Sequence, residues 1–198
     1  MSFIDSITSL EGCPRVVDGN FNCSNTKITS LEGGPEEVES FFDCSYTKII
    51  SLKGAPRKVG ENFECSNTSI TSLEGCPEEV GRSFWCNYTK ITSLEGSPKK
   101  VGGSFWCNYT NINSLKGSPE EVGGDFNCST ENITSLEGCP REVGGSFLGS
   151  YTSITSLKGA PAKIGDIRYS TFPNSISKQQ LDDYKNWLKT NPKENYPG

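Results

Sequence analysis

An Ile-x-Ser-Leu motif recurs along the chain at a constant spacing of 21 residues, without insertions. Its eight copies begin at Ile7, Ile28, Ile49, Ile70, Ile91, Ile112, Ile133 and Ile154. A unit this short cannot bury an apolar core by itself, so each repeat must pack on its neighbours as one coil of a solenoid. We therefore divide the 198 residues into an N-terminal cap (1–6), a solenoid (7–171) and a C-terminal capping segment (172–198).

Each repeat contains a short alternating segment, which is clearest in the duplicated SFWCNYT at 83–89 and 104–110. Alternation predicts that Phe105 and Cys107 point inward, whereas Ser104, Trp106 and Asn108 point outward. This period of two is typical of a β-strand. Stacked coils then align these strands as a parallel sheet with rungs roughly 4.8 Å apart.

A Pro recurs in each repeat, and the two residues after it carry charges whose sign changes from coil to coil. It reads Arg15-Val16, Glu36-Glu37, Arg57-Lys58, Glu78-Glu79, Lys99-Lys100, Glu120-Glu121, Arg141-Glu142 and Ala162-Lys163. Opposite charges on neighbouring coils disfavour a slip of one coil, although each exposed pair is worth only ~0.2–1 kcal/mol. We interpret this pattern as structural rather than as a binding site.

The repeat F-x-C-x-x-T-x-I-x-x-L resembles the later part of the leucine-rich-repeat pattern, over residues 7 to about 171. Phe and Cys replace the usual Leu, and Thr stands where that family has Asn. The resemblance implies a mainly β, right-handed solenoid of eight coils with one parallel sheet face. The variant S-L-E-G-x-P-x-x-V-G-G-x-F-x-C is similar to leucine-rich-repeat proteins often encoded by bacteriophages. That likeness implies that the chain binds and inhibits a host protein, such as a defence factor.

The repeat pattern breaks after Ile164, and a helix signal follows. Ser177 and Gln180 have the spacing of a capping box, and Leu181, Tyr184 and Leu188 then recur at helical intervals. We predict a capping helix from about 178 to 189 that covers the last coil. The first coil has only Phe3 and Ile4 before it, so we expect a monomer or a weak homo-oligomer formed through the solenoid ends.

The chain contains nine Cys and no His. The missing His excludes Ser-His-Asp and Cys-His nucleophiles and all His-containing zinc sites. Six Cys form one column, Cys23, Cys44, Cys65, Cys86, Cys107 and Cys128. We interpret this column as a ladder of buried thiols, with a metal site or disulfides as the alternative. No cofactor or metal is expected.

The net charge is −5, and Lys and Arg do not cluster. We therefore expect neither a nucleic-acid partner nor a membrane partner. Free thiols without a secretory signal favour a cytoplasmic location, which would be the host cytoplasm for a phage protein.

The residue between Phe and Cys varies most among the repeats while its neighbours stay nearly constant. Its column reads Asn22, Asp43, Glu64, Trp85, Trp106, Asn127 and Leu148. We predict one aromatic patch on coils four and five from Trp85, Trp106, Tyr88 and Tyr109. The other predicted partner-binding residues are Asn87, Asn108, Tyr46, Asp43, Glu64 and Leu148.

An exposed apolar patch bordered by polar residues usually marks a contact site, and Trp and Tyr are favoured anchors. We therefore expect a non-enzymatic scaffold that binds another protein. One alternative is a small-molecule or glycan ligand stacked on the Trp rings. Another is a structural or ice-binding solenoid, suggested by the Ser column from Ser9 to Ser156 and the Thr before it. An enzyme using Asp43 and Glu64 is the least favoured possibility.

Overall fold

A computed structural model describes residues 7–167, 170–190 and 193–198. Across these ranges the repeats form a mainly β solenoid of about seven turns with 21-residue spacing, followed by one helix. The fold predicted from the period is thus confirmed. The proposed N-terminal cap at 1–6 lies outside the described residues.

The strand predicted around Phe forms a seven-stranded parallel sheet, here called the phenylalanine sheet. Its strands are β2 Phe21–Asn22, β4 Phe42–Asp43, β6 Phe63–Glu64, β8 Phe84–Trp85, β10 Phe105–Trp106, β12 Phe126–Asn127 and β14 Phe147–Leu148. Each strand pairs in register with the strand 21 residues away, as Phe105 does with Phe84 and Phe126.

A second parallel sheet, the valine sheet, lies before the glycine-rich corner of each coil and was not expected from the sequence. Its strands are β1 Val16–Val17, β3 Glu37–Val38, β5 Lys58–Val59, β7 Glu79–Val80, β9 Lys100–Val101, β11 Glu121–Val122, β13 Glu142–Val143 and β15 Lys163–Ile164. Most of these strands contribute a single inward apolar residue, so they lack the Phe-x-Cys alternation that reveals the phenylalanine sheet.

The core is a set of side-chain columns that run along the solenoid. The Phe rings from Phe21 to Phe147 stack coil on coil, with centroid separations of 5.1–6.0 Å. Cys, Ile and Leu columns pack beside them and are almost completely buried. The six-Cys column is therefore part of the core, and its thiols are free.

Side-chain hydroxyls close the turns of each coil. Thr110 Oγ1 donates to the Cys107 carbonyl at 2.8 Å, and the same bond recurs from Thr26 to Thr89. Ser93 Oγ accepts the Glu95 amide at 3.0 Å, and every Ser of that column from Ser9 to Ser156 does the same. The Thr and Ser columns therefore both have a structural role in the turns.

Opposite charges do meet across the corners, as predicted from the alternating pairs. Ion pairs join Arg15 to Glu36 at 2.8 Å, Arg57 to Glu37 at 3.1 Å and Lys163 to Glu142 at 3.5 Å. A second set, which sequence reasoning missed, links the residues after each Leu. Its members are Lys53–Glu32 at 2.8 Å and Lys116–Glu95 at 3.6 Å.

The C-terminal segment covers the last coil. Helix α1 spans Lys178–Leu188, and the predicted capping box between Ser177 and Gln180 is present. Phe172 continues the Phe stack at 5.2 Å from Phe147 and meets Tyr184 edge-on. The Tyr184 hydroxyl donates to the Pro161 carbonyl at 2.7 Å, so the helix is fixed to the solenoid end.

Candidate functional site

The outward face of the phenylalanine sheet presents the variable column. In strand β10, Phe105 is fully buried whereas its neighbour Trp106 is 38% exposed. The next residue, Cys107, is again fully buried. The alternation predicted for SFWCNYT is therefore present, and Trp106 belongs to the surface.

Trp85 and Trp106 form a pair across adjacent coils. They are register partners in strands β8 and β10, and their ring centroids lie 6.5 Å apart with the planes tilted by 54°. Trp85 is more covered than Trp106, and its indole nitrogen is buried without a hydrogen-bond partner. A buried N–H that makes no hydrogen bond is unfavourable by about 1–3 kcal/mol.

Tyr88 and Tyr109 form a second pair, three residues further along each coil. Their rings stack at 4.8 Å with an interplanar angle of 14°, and the two side chains are 52% and 50% exposed. Within the part of the chain that the structure describes, no ring contact joins Trp85 or Trp106 to a tyrosine. The predicted aromatic patch therefore consists of two separate pairs.

The tyrosines occupy a backbone position that does not favour them. Tyr46, Tyr88 and Tyr109 have φ of 55°, 57° and 54°, in the left-handed region. The equivalent residues of coils one and three are Asn25 and Asn67, at φ of 57° and 56°. Asn tolerates this conformation better than aromatic residues do. Tyrosine at this position therefore works against the local backbone preference.

Tyr151 extends the tyrosine row, although sequence reasoning did not include it among the binding residues. Its ring lies 6.5 Å from that of Tyr109, two coils away. Thr130 on the coil between them is buried and donates to the Thr110 carbonyl at 2.7 Å. Because Thr130 turns inward, the two tyrosines approach each other over it, and no spacing rule in the sequence signals this contact.

The small polar column beside the tryptophans is less accessible than the sequence suggests. Asn108 is only 7% exposed, and Ser45, Ser66 and Ser129 are also buried. Ser66 donates its hydroxyl hydrogen to Asn87 Oδ1 at 2.9 Å, whereas Asn108 Oδ1 is buried without a partner. Asn108 thus lies beneath the surface rather than between exposed rings.

Asp43 and Glu64 adjoin the Trp pair on the preceding coils. They are register partners, and Glu64 is in turn the register partner of Trp85. Asp43 Oδ1 accepts from the Ser45 amide at 2.8 Å and from the Ser45 hydroxyl at 2.6 Å. Loss of hydration, followed by the nearby Asp43 charge, raises the pKa of the Glu64 carboxyl.

Leu148 lies apart from the Trp pair, because Asn127 occupies the coil between them. It is partly buried and forms a β-bridge with Thr171 of the C-terminal segment. Leu148 therefore adjoins the cap and lies two coils away from Trp106.

The thiols of the core are not placed for chemistry at this face. Burial raises the pKa of Cys23 and of Cys128 to about 12, and raises that of Cys107 well above its usual value. The Cys107 Sγ donates to the Asn127 carbonyl at 3.3 Å. Within the described ranges, no group of three or more His, Cys, Asp or Glu side chains could hold a metal ion.

Among the residues that the structure describes, no helix is both long and apolar enough to cross a membrane. Searches against protein-family models, curated proteins and solved structures gave no match.

Proposed function

We propose that this chain is a non-enzymatic scaffold that binds another protein through the outward face of the phenylalanine sheet. The observation that carries this proposal is the placement of two contacting aromatic pairs on adjacent coils. The same positions on other coils hold Asn22, Asn127 and Asn25. The fold therefore forms without aromatic residues there, and partly exposed Trp and Tyr are favoured anchors of protein interfaces.

The left-handed tyrosines support the proposal independently. A non-Gly residue in this region is disfavoured, by ~1–2 kcal/mol for most side chains and by less for Asn. Three coils nevertheless carry Tyr where two others carry Asn. Residues that persist against the backbone preference are usually retained for what their side chains contact.

Two unpartnered polar atoms point the same way. In the described part of the chain, the buried side-chain nitrogen or oxygen atoms without a hydrogen-bond partner are Trp85 Nε1 and Asn108 Oδ1. Both belong to coils four and five of this face, one as a donor and one as an acceptor. A partner backbone offers both complementary groups, which favours a protein ligand.

The resemblance to phage-encoded repeat proteins suggests where the partner would be found. We propose a host protein, such as a defence factor, with the binding taking place in the host cytoplasm. The ice-binding alternative is less favoured, because the hydroxyls of the Ser column from Ser9 to Ser156 already accept backbone amides within their own coils.

Affinity capture with matched variants tests the proposal. The wild-type chain, Trp85→Ala/Trp106→Ala and the control Ile50→Ala are immobilised and exposed to the same host lysate. Ile50 is an exposed apolar residue outside this face. We expect a discrete protein to be retained by wild type and Ile50→Ala, and to be reduced at least tenfold by the double variant.

Equal capture by all three proteins, each verified as folded by circular dichroism, would contradict the proposal. A lysate that yields no protein, combined with glycan-dependent changes in Trp fluorescence, would favour the glycan alternative instead.

A further inference from the structure

The outward face carries an acidic-aromatic strip formed by Asp43, Glu64, Trp85 and Trp106. These four residues are successive register partners on coils two to five. With rungs roughly 4.8 Å apart, the strip extends about 14 Å along the solenoid. Carboxylates occupy one end and indole rings the other.

The carboxylates of this strip are not neutralised by the chain itself. Among the described residues, no Lys or Arg forms an ion pair with Asp43 or Glu64. Like charges directly opposite each other on neighbouring strands are destabilising. Glu64 is also partly buried, which raises the pKa of its carboxyl.

The valine sheet shows how the same array treats a comparable pair. Glu121 and Glu142 are also register partners. There, however, Lys100 lies 2.8 Å from Glu121, Arg141 lies 2.8 Å from Glu142, and Lys163 lies 3.5 Å from Glu142. Two opposed carboxylates are thus accompanied by cations on the valine sheet and are left without them on the candidate face.

We propose that the acidic-aromatic strip binds an arginine side chain of the partner protein. This inference rests on the proposed function and names the chemistry of the partner at the same site. The planar guanidinium stacks on indole rings and donates in pairs to carboxylates, which a lysine ammonium does not do equally well. Glu64 supplies the carboxylate closest to the rings, and Trp85 supplies the adjoining ring face.

The strip also constrains the rest of the partner segment. Its length of about 14 Å corresponds to roughly four residues of extended chain, at about 3.3 Å per residue. The arginine lies at the Asp43 and Glu64 end, and an apolar side chain lies towards Trp106.

The test uses four blocked peptides and the full chain labelled with ¹⁵N. The probes are acetyl-Gly-Arg-Gly-Leu-amide, the same peptide with lysine or citrulline in place of arginine, and acetyl-Gly-Gly-Gly-Leu-amide. Citrulline keeps the planar shape of arginine without the charge. Each peptide is titrated to about 10 mM, a range suited to weak ligands. The signals followed are the indole N–H resonances of Trp85 and Trp106, with that of Trp187 as an internal control.

We expect saturable shifts of the Trp85 and Trp106 signals with the arginine peptide. The affinity is expected to be roughly tenfold lower for citrulline and for the Glu64→Gln variant, as for loss of one charge-assisted hydrogen bond. Glu131→Gln is the matched control, because Glu131 is an exposed carboxylate on coil six. That variant is expected to bind as wild type does.

The inference is overturned if the arginine peptide gives no saturable shift, if lysine or citrulline binds equally well, or if Glu64→Gln binds as tightly as wild type. None of these outcomes bears on whether a protein is captured through the Trp pair. A capture that depends on Trp85 and Trp106 but not on Glu64 would retain the proposed function and reject the arginine. If the Trp85→Ala/Trp106→Ala variant captures the protein as well as wild type does, the proposed function itself is rejected.

Discussion

The valine sheet and the phenylalanine sheet are built from the same coils, yet their outward residues obey different rules. On the valine sheet, charges alternate between most neighbouring coils and form ion pairs such as Arg57–Glu37 and Lys100–Glu121, and cations also accompany the like-charged Glu121 and Glu142. On the phenylalanine sheet, the outward column places Asp43 against Glu64 and Trp85 against Trp106. The outward charges of the valine sheet form ion pairs within the chain. On the phenylalanine sheet, the outward carboxylates form no such pairs among the described residues, and aromatic surface stays exposed.

This difference separates the residues that maintain the array from those that the array does not need. The valine-sheet charges favour one alignment of the coils, so their partners lie in the same molecule. In the strip, Asp43 and Glu64 have no ion-pair partner among the described residues, and the Trp85–Trp106 contact leaves the Trp106 side chain 38% exposed. We infer that its complement lies in another molecule.

We expect the buried thiols to dominate the change in the free energy of unfolding at alkaline pH. Burial raises the pKa of eight thiols, and raises that of Cys23 and of Cys128 to about 12. An unfolded thiol ionises near pH 8.5 while the folded one stays protonated, so the unfolded state binds fewer protons above that pH. The free energy of unfolding should therefore be fully retained below about pH 8.5. It should fall by up to about 1.4 kcal/mol per pH unit for each buried thiol as pH rises towards about 12.

Urea unfolding at several values between pH 7 and pH 10 measures this dependence. Cys107→Ala is the matched variant, because it removes one thiol from the column. The free energy of unfolding of this variant should therefore fall less steeply with pH, by up to about 1.4 kcal/mol per pH unit. A free energy of unfolding that stays constant across this range would show that the thiols do not remain protonated in the folded chain.

Substituting Phe105 and Trp106, which are neighbours in strand β10, compares the contribution to stability of an inward and an outward position. Phe105→Ala removes a fully buried ring stacked at 5.2 Å on Phe84 and at 5.8 Å on Phe126. We expect it to lower the free energy of unfolding by about 3–5 kcal/mol. Trp106→Ala removes a partly exposed ring and one cross-strand pair, for which roughly 1–2 kcal/mol is expected. Chemical denaturation of both variants measures the difference, and equal losses would mean that Trp106 belongs to the framework.

The smallest expected change in the free energy of unfolding is an increase rather than a loss. Tyr46→Asn places at φ 55° the residue that coil three already carries at φ 56°. We expect this variant to be more stable than wild type by about 0.5–1 kcal/mol, because Asn tolerates the left-handed region. Tyr46→Ala is the control, since alanine lacks that tolerance and should give no gain. A loss of stability in Tyr46→Asn would show that the tyrosine side chain itself supports the fold.

Much of the fold follows from the sequence because the repeat has no insertions. The inward columns, the Thr-closed turns and the capping box at Ser177 all depend on local patterns that recur or are well defined. The valine sheet was missed because most of its strands carry one inward apolar residue, without the alternation that Phe and Cys give the other sheet. The burial of Asn108 and the contact between Tyr109 and Tyr151 were also missed. Both depend on how the chain turns after the strand, which side-chain alternation does not encode.

The most direct test of the outward face is site-specific photo-cross-linking. The photoreactive residue p-benzoylphenylalanine replaces Trp106 or Tyr88 on the candidate face, and Val16 or Ile50 elsewhere, all of which are exposed. The four proteins are irradiated in host lysate, and the adducts are identified by mass spectrometry. If the face binds the partner, positions 106 and 88 will yield an adduct to one common protein, and positions 16 and 50 will not. Adducts to that protein that form equally from all four positions, or only from 16 and 50, would contradict the assignment of the binding surface.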